Sequence, residues 1–330
     1  VAIELTLPDL TLTKERRSPQ RIKLITGRAN PELAKEIAYY LDTEVSPVQI
    51  KNFSDGELYV RIEENVRGED VYVVQPTCAP QNDNLMELLL MCDALKRASA
   101  KSITAIIPYF GYARQDRKTA GREPISAKLM ADLIQTAGAN RVVAMDLHTG
   151  QLQGFFNMIT DHLYATPVLH RYIETRDLVN PVVVSPDAGG VERARVFAKK
   201  LNCPIAIIDK RRSAHNVSEV FHIIGDIKGR SCILIDDMID TAGTITSGAT
   251  MLMEQGAHDV YVMAAHPVFS GPAVERLANA PIKEVIVTNS IPLSEDAKKV
   301  DKIIQLSIAS LLGEAICRIH ESQSISEMFS

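Results

Sequence analysis

"ILIDDMIDTAGTIT", residues 233–246, runs from an apolar stretch into two adjacent carboxylates, Asp236 and Asp237, then a third, Asp240, and then a string of small residues. With Cys232, the apolar stretch reads as a strand buried on both faces. The small residues lead straight into a helical pattern, Ile245–Gln255. Strand, short loop and helix in this order form the repeating unit of a parallel sheet, whose ligands bind at the carboxyl ends of its strands. Asp236 and Asp237 stand at such an end. Two acids repel phosphate but accept hydrogen bonds from a sugar diol. The loop Asp240-Thr241-Ala242-Gly243-Thr244 has the opposite preference, because the N–H groups and dipole at a helix start favour a bound anion, by ~0.3–1 kcal/mol from the dipole. One reading is a phosphorylated sugar, with hydroxyls on the acids and phosphate in the loop. The other is a strand end with a solvated acidic turn. Spacing alone divides evenly between them.

The same alternation extends outward in both directions. Strands are expected at Ile22–Thr26, Val71–Gln75, Ile103–Pro108 and Arg141–Met145, then at Val182–Ser185, Ile205–Ile208, Ser231–Ile235, Val260–Ala264 and Glu284–Thr288. Helical patterns lie between them, at Pro31–Leu41, Asn84–Ala98, Ser126–Ala137 and Val191–Leu201. Such alternation implies α/β architecture with parallel sheets covered by helices. Nine strands in one sheet would be unusual, so two similar domains are expected. "LITGRANPELAKEIAYYL" and "VVSPDAGGVERARVFAKKL" echo one another as strand, small-residue loop and helix. The expected division is a polar N-terminal extension over 1–20, a first domain over 21–165 and a second over 166–330. A C-terminal helix is expected over Ile304–His320, followed by a polar tail.

Composition narrows the function. A net charge of −5 argues against a general nucleic-acid binder, so local basic clusters matter more than the total. The five cysteines are scattered without a CxxC, which reads as buried free thiols in a reducing, cytoplasmic setting. No apolar run reaches the ~18 residues of a membrane span, and no secretory signal is read at the N-terminus. There is no G-x-x-x-x-G-K-[ST], no protein-kinase motif set and no G-x-G-x-x-G after a strand, so a nucleotide site would be neither a P-loop, a kinase cleft nor a dinucleotide fold.

Further segments carry candidate chemistry. "SPDAGG" (185–190) is an ordinary βα turn or a loop whose glycines let backbone approach phosphate. "DKRRSAHN" (209–216) is a solvated basic turn or a clamp for a polyanion. "MDLHTGQ" (145–151) puts Asp146 and His148 at a strand end, as a structural hydrogen bond or a divalent-cation site. "YARQDRKTAGREP" (112–124) is a second basic loop. "NFSDGELYV" (52–60) reads as a hairpin turning at Asp55-Gly56.

The 233–246 segment closely resembles the 5-phosphoribosyl 1-diphosphate (PRPP) loop of type I phosphoribosyltransferases. With "FSDGE", "NLMELL", "PYFGYARQDR", "MDLHTGQLQGFF", "SPDAGG" and "IIDKRR", nearly the whole chain from Arg21 to Phe329 resembles one branch of that superfamily, the ribose-phosphate diphosphokinases. The resemblance implies two phosphoribosyltransferase-like domains. It also implies transfer of a diphosphoryl group from MgATP to ribose 5-phosphate, feeding nucleotide, histidine and tryptophan biosynthesis. It assigns Lys210 and Arg212 to a catalytic loop closing over ATP, with Arg212 also on the sugar phosphate. Phe53, Asp55, Gly56 and Glu57 would reach a neighbouring subunit's ATP, while Arg114, Gln115 and His148 would contact ATP. Asp187, Ala188, Gly189 and Gly190 would hold the diphosphate, and Asp236, Asp237 and Asp240 to Thr244 the ribose 5-phosphate. His148 and Asp187 would be Mg²⁺ ligands; Asn157 departs from an acid common in the family, while Asp161 matches it. The resemblance further implies a homohexamer built of dimers, and an anion site for ADP or phosphate matching Arg67, Gln153, Ser324 and Ser326, with Asn65 where Ser is common. Two rival readings compete with it: a phosphoribosyltransferase, which needs one catalytic domain and a base-binding hood, and a catalytically silent regulatory subunit, whose basic loop would be degraded.

Overall fold

The computed structural model describes residues 22–211 and 220–329. The expected extension over 1–20 lies outside the described residues. The chain divides into two compact units. One runs to Tyr164 and resumes at Ser307; the other is Ala165–Leu306.

The first unit contains β1 (Ile22–Thr26), α1 (Pro31–Tyr40), the hairpin β2 (Val48–Asn52) and β3 (Leu58–Ile62), β4 (Asp70–Val74), α2 (Gln81–Arg97), β5 (Ser102–Ile107), α3 (Ser126–Ala137), β6 (Arg141–Met145) and β7 (Ile159–Leu163). Local chemistry sets these boundaries. Asn30 caps α1 by accepting from Leu33 N at 3.3 Å, and Pro31 follows where a missing N–H costs nothing. The sheet is parallel throughout, in the order β1-β4-β5-β6-β7. Val71, Val73, Ala105 and Ile107 from the sheet pack with Leu88, Met91 and Leu95 from α2 and Ile134 from α3.

The second unit contains α4 (Thr166–Ile173), β8 (Val182–Ser185), α5 (Val191–Lys200), β9 (Ile205–Arg211), β10 (Val220–Ile224), β11 (Ser231–Ile239), α6 (Gly243–Glu254), β12 (Asp259–Pro267), α7 (Ala273–Asn279), β13 (Glu284–Thr288), α8 (Glu295–Lys298) and β14 (Ile303–Leu306). Its sheet order is β10-β9-β8-β11-β12-β13-β14, parallel except for β10 at the edge. Val182, Val184, Leu234, Val262 and Val285 form its core with Ala249 and Leu252 of α6 and Leu277 of α7.

The two sheets differ in one respect that matters for ligands. In the first, strand order follows the chain without reversal. In the second, the chain steps from β8 to β9 in one direction, and β11 then pairs on the other side of β8. This reversal is a topological switch point. Loops leaving adjacent strands there diverge to opposite faces and open a crevice.

The C-terminal expectation needs two corrections. Ile303–Leu306 is a strand pairing with β13, not the start of a helix; α9 begins at Ala309 and ends at His320. Residues from Ser307 onward belong to the first unit, so the expected second domain of 166–330 is shortened at its end. The cause is contact with α1. Tyr40 Oη donates to Glu314 Oε2 at 3.1 Å, and Ser307 Oγ donates to Glu36. Gly313 sits under the Tyr40 ring, where an added Cβ would lie 3.0 Å from Tyr40 Cγ and closer still to Cδ1. A Gly313→Ala variant is therefore expected to lose about 1–2 kcal/mol from overpacking, partly offset by the helix preference for alanine. Urea unfolding checks this: an unchanged midpoint would show that the ring swings aside at no cost.

Candidate active site

Two loops and one strand meet at the β8–β11 switch point. The β8–α5 loop, Pro186–Gly190, follows Ser185. Asp187 Oδ1 accepts from Gly190 N at 2.9 Å, and Ser185 Oγ donates to the Asp187 carbonyl at 2.7 Å. These bonds shape a tight turn that directs the backbone into α5. A Cβ on Gly190 would lie 2.9 Å from Ser185 Oγ and would force that hydroxyl to shift from the Asp187 carbonyl. Asp187, Ala188 and Gly189 are exposed.

β11 runs further than the expected Ser231–Ile235. It pairs with β12 as far as Ile239 opposite Pro267, so Asp236 and Asp237 lie inside the strand. Val184 is level with Leu234, which puts Asp236 beside the first residues after β8. Asp237 is 3% exposed, and Asp236 is partly exposed. Asp237 N donates to Asp236 Oδ1 at 2.8 Å. Burial, followed by the adjacent Asp237 charge, pushes the Asp236 carboxyl up to about 7, against the opposing pull of Arg193.

The loop after β11 is shorter than the sequence suggested, because α6 begins at Gly243 rather than Ile245. Ala242 takes the cap position in the left-handed region, φ 61°, where a non-glycine residue is strained. Its side chain makes no capping hydrogen bond, so the first-turn N–H groups of α6 depend on other acceptors. Asp240 accepts from the Ser270 hydroxyl, and its carbonyl accepts from Ser270 N at 3.0 Å. Arg276 Nη1 of α7 donates to the Thr241 carbonyl at 3.0 Å. Thr241 and Thr244 are exposed. The structure thus brings Asp187–Gly190, Asp236, Asp237 and Asp240–Thr244 to one edge of one sheet. The N–H groups of a helix start and a pair of carboxylates therefore share that edge. Cavities of about 840 and 900 Å³ open elsewhere, beside Lys96 and Asn140 and between α6 and α7. The second is lined by Arg276 and by Thr246, whose hydroxyl donates to the Ala242 carbonyl at 2.9 Å.

The backbone of Lys210 lies in β9, and Arg212 is outside the described residues.

The remaining candidates lie in the first unit. Phe53, Asp55, Gly56 and Glu57 form the exposed tip of the β2–β3 hairpin. Gly56 adopts φ 96°, Phe53 N donates to the Glu57 carbonyl at 2.8 Å, and Asp55 Oδ1 accepts from Glu57 N at 3.1 Å. Arg28, which sequence reading did not single out, ties the hairpin base to the body. Its Nη1 reaches Asn52 Oδ1 at 2.9 Å, and its Nε pairs with the buried Glu87 at 2.5 Å. Arg114 and Gln115 are exposed, with the Gln115 side-chain amide oxygen accepting from the Ser126 hydroxyl. Asp116 accepts from Thr149 at 3.0 Å and so joins that loop to the one carrying His148. Asp161 is paired with Arg141, and Asn157 Nδ2 reaches Asp132 at 3.5 Å. Ser324 and Ser326 hydroxyls lie 2.9 Å apart, and Arg318 Nη1 donates to the Ser324 carbonyl at 2.8 Å. Arg67 N donates to Asn65 Oδ1 at 3.1 Å, and Gln153 Nε2 to the Gly150 carbonyl at 3.1 Å.

Arg193 is the residue of the second unit that sequence reading missed. From the first turn of α5, its Nη1 lies 3.0 Å from Asp236 Oδ1 and 3.3 Å from Asp237 Oδ1. The only local signal was its place three residues after Gly190, which Arg195 nearly shares.

Known proteins share this organisation. Residues 22–138 match the family model described as the N-terminal domain of ribose phosphate pyrophosphokinase, and residues 214–330 match the phosphoribosyl synthetase-associated domain. A ribose-phosphate pyrophosphokinase of Nostoc sp. is 59% identical over 94% of this chain and 94% of its own length. Ribose-phosphate pyrophosphokinase 2, chloroplastic, of Spinacia oleracea is 57% identical over 95% of this chain and 80% of its own. The crystal structure of phosphoribosylpyrophosphate synthetase from Mycobacterium smegmatis superposes with a TM-score of 0.87 at 49% identity, covering 92% of this chain and all of that one.

Proposed function

This chain belongs to the ribose-phosphate pyrophosphokinase family, and from that premise we propose which of its residues carry the reaction. The activity is transfer of the β,γ-diphosphoryl group of ATP to the C1 hydroxyl of ribose 5-phosphate, giving PRPP and AMP. The observation that carries the residue assignment is the convergence of an acid pair and two phosphate-sized backbone loops on the switch point of the second sheet. The 5-phosphate sits on the N–H groups and hydroxyls of Thr241–Thr244 at the start of α6. The 2- and 3-hydroxyls donate to Asp236 and Asp237. The C1 hydroxyl then faces the Asp187–Gly190 loop, which receives the diphosphoryl group. Its oxygen attacks the β-phosphorus in line, and AMP leaves with the bridging oxygen. Catalysis is positioning and charge neutralisation without a covalent intermediate. Lys210 and Arg212 supply positive charge to the transferred group.

Mg²⁺ fits the donors present. Asp187, exposed in the β8–α5 loop, is a carboxylate of the kind that would hold Mg²⁺ beside a sugar phosphate, and His148 of the first unit would serve a separate ion carried by ATP. The ion commonly takes only one or two protein ligands alongside substrate phosphates and water, and it would offset polyphosphate charge when bound. The exposed hairpin tip, Phe53 to Glu57, is suited to a neighbouring copy's adenine, which supports a homo-oligomer, a homohexamer built of dimers. The Ser324–Ser326 turn, with Arg67 and Gln153, is assigned to a phosphate or ADP effector. No described helix is long and apolar enough to cross a membrane, and the composition suits a cytoplasmic enzyme.

The deciding assay is product identity. With ATP, Mg²⁺ and ribose 5-phosphate, the protein is expected to release AMP in equal amount to PRPP. ADP would indicate transfer of a single phosphoryl group and overturn the mechanism.

A further inference from the structure

We propose that Arg193 is a positioning residue for the pentose: its guanidinium holds Asp236 and Asp237 side by side as paired acceptors for vicinal hydroxyls. The inference rests on the reading of those acids as the diol site, and deepens it.

Consecutive residues of a regular strand point to opposite faces of the sheet. Asp236 and Asp237 are consecutive, yet their Oδ1 atoms both lie within 3.3 Å of one nitrogen, Arg193 Nη1. Two adjacent acids, one of them almost wholly buried, repel one another and favour taking up a proton. A protonated carboxyl donates from one oxygen, whereas a sugar diol presents two donors of its own and needs acceptors. A cation between the acids offsets part of their repulsion and favours the form in which both accept. Arginine suits this because it stays charged and its planar fork has several donors in fixed directions.

The location of Arg193 adds a second effect. It stands on the first turn of α5, three residues beyond Gly190, so the same short segment that shapes the diphosphate loop also grips the acids. The spacing between the diol site and the diphosphate loop is thereby set by one side chain rather than by two independent loops. Misplacement of that spacing would separate C1 from the phosphorus it attacks.

The test uses the full-length protein carrying Arg193→Gln, Arg193→Lys or Asp236→Asn, with steady-state constants for each substrate and a thermal midpoint for each variant. Arg193→Gln is expected to raise KM for ribose 5-phosphate at least tenfold while KM for ATP stays within about twofold. Arg193→Lys, which keeps the charge, is expected to recover most of that loss. An Arg193→Gln enzyme with unchanged KM for ribose 5-phosphate, beside an impaired Asp236→Asn enzyme, would overturn the role of Arg193 and leave the diol reading intact. Unimpaired Asp236→Asn would sink the diol reading itself. Equal losses in the Gln and Lys variants, spread over both substrates and matched by lower midpoints, would show a purely structural arginine and also overturn the proposal. Should Arg193→Gln not fold, the Lys variant decides: its KM for ribose 5-phosphate must rise modestly and alone.

Discussion

Replacing Lys210 with alanine is expected to lower kcat by about 100- to 1,000-fold, with little change in either KM or in the thermal midpoint. The backbone of Lys210 lies in β9, opposite Phe221 in the antiparallel β9–β10 pair. β9 is parallel to β8, so both strands end at the same edge of the sheet as the Asp187–Gly190 loop. In the proposed mechanism, the lysine's charge would offset the charge that builds on the transferred diphosphoryl group and on the departing AMP oxygen. That charge is greatest in the transition state, so the loss falls on kcat rather than on ground-state binding. The backbone pairing that holds β9 is independent of the side chain, which is why the fold should persist. A rate near wild type would remove Lys210 from the mechanism and leave the charge neutralisation to Arg212 and the metal.

The Asp236→Asn variant tests the opposite half of the site. A hydrogen bond to a charged acceptor is worth about 1.5–3 kcal/mol, so kcat/KM for ribose 5-phosphate should fall about 10- to 100-fold while KM for ATP holds. In the wild type the carboxyl is pushed up to about 7 by burial and by Asp237. Its acceptor form is lost as pH falls below that value, so wild-type kcat/KM for the sugar should decline from pH 8 toward pH 6. The Asn variant should lack that limb. Stability runs the other way. The folded carboxyl holds its proton more tightly than the unfolded one, so its contribution is full at pH below the unfolded value near 4 and is lost as pH rises through about 7. At pH 8 the Asn variant should therefore be the more stable protein, by on the order of 1 kcal/mol. Loss of both activity and stability together would mean that Asp236 is a structural partner of Arg193 and not a sugar ligand.

Much of the fold was legible because it is written in short contiguous patterns. Apolar runs such as Val182–Ser185 and Glu284–Thr288 match β8 and β13 to the residue. The acid pair and the small-residue loop announced a strand–loop–helix unit before any pairing was known. Errors gathered where four residues support either period. The expected helix Ile304–His320 takes in most of β14, because an apolar run so short reads equally as strand or helical turn until a neighbour such as β13 supplies hydrogen bonds. The edge strands β10 and β7 are not among the expected strands; β7, ITDHL, is mostly polar and carries little apolar signal of its own. The sequence also placed the acids at a strand end; pairing with β12 instead carries the strand past them to Ile239.

By itself the amino-acid sequence determined the kind of elements, their order along the chain and the residue types at each loop, since periodicity, caps and glycine-bearing turns act over a few residues. Only the tertiary structure decided that β11 returns to pair beside β8, that Arg193 joins Asp236 to Asp237 across 43 residues, and that Gly313 closes on Tyr40 at the far end of the chain. Those choices belong to whole faces burying against one another. The free energy that selects them is summed over many side chains distant in sequence, and no single stretch carries enough of it to be read alone.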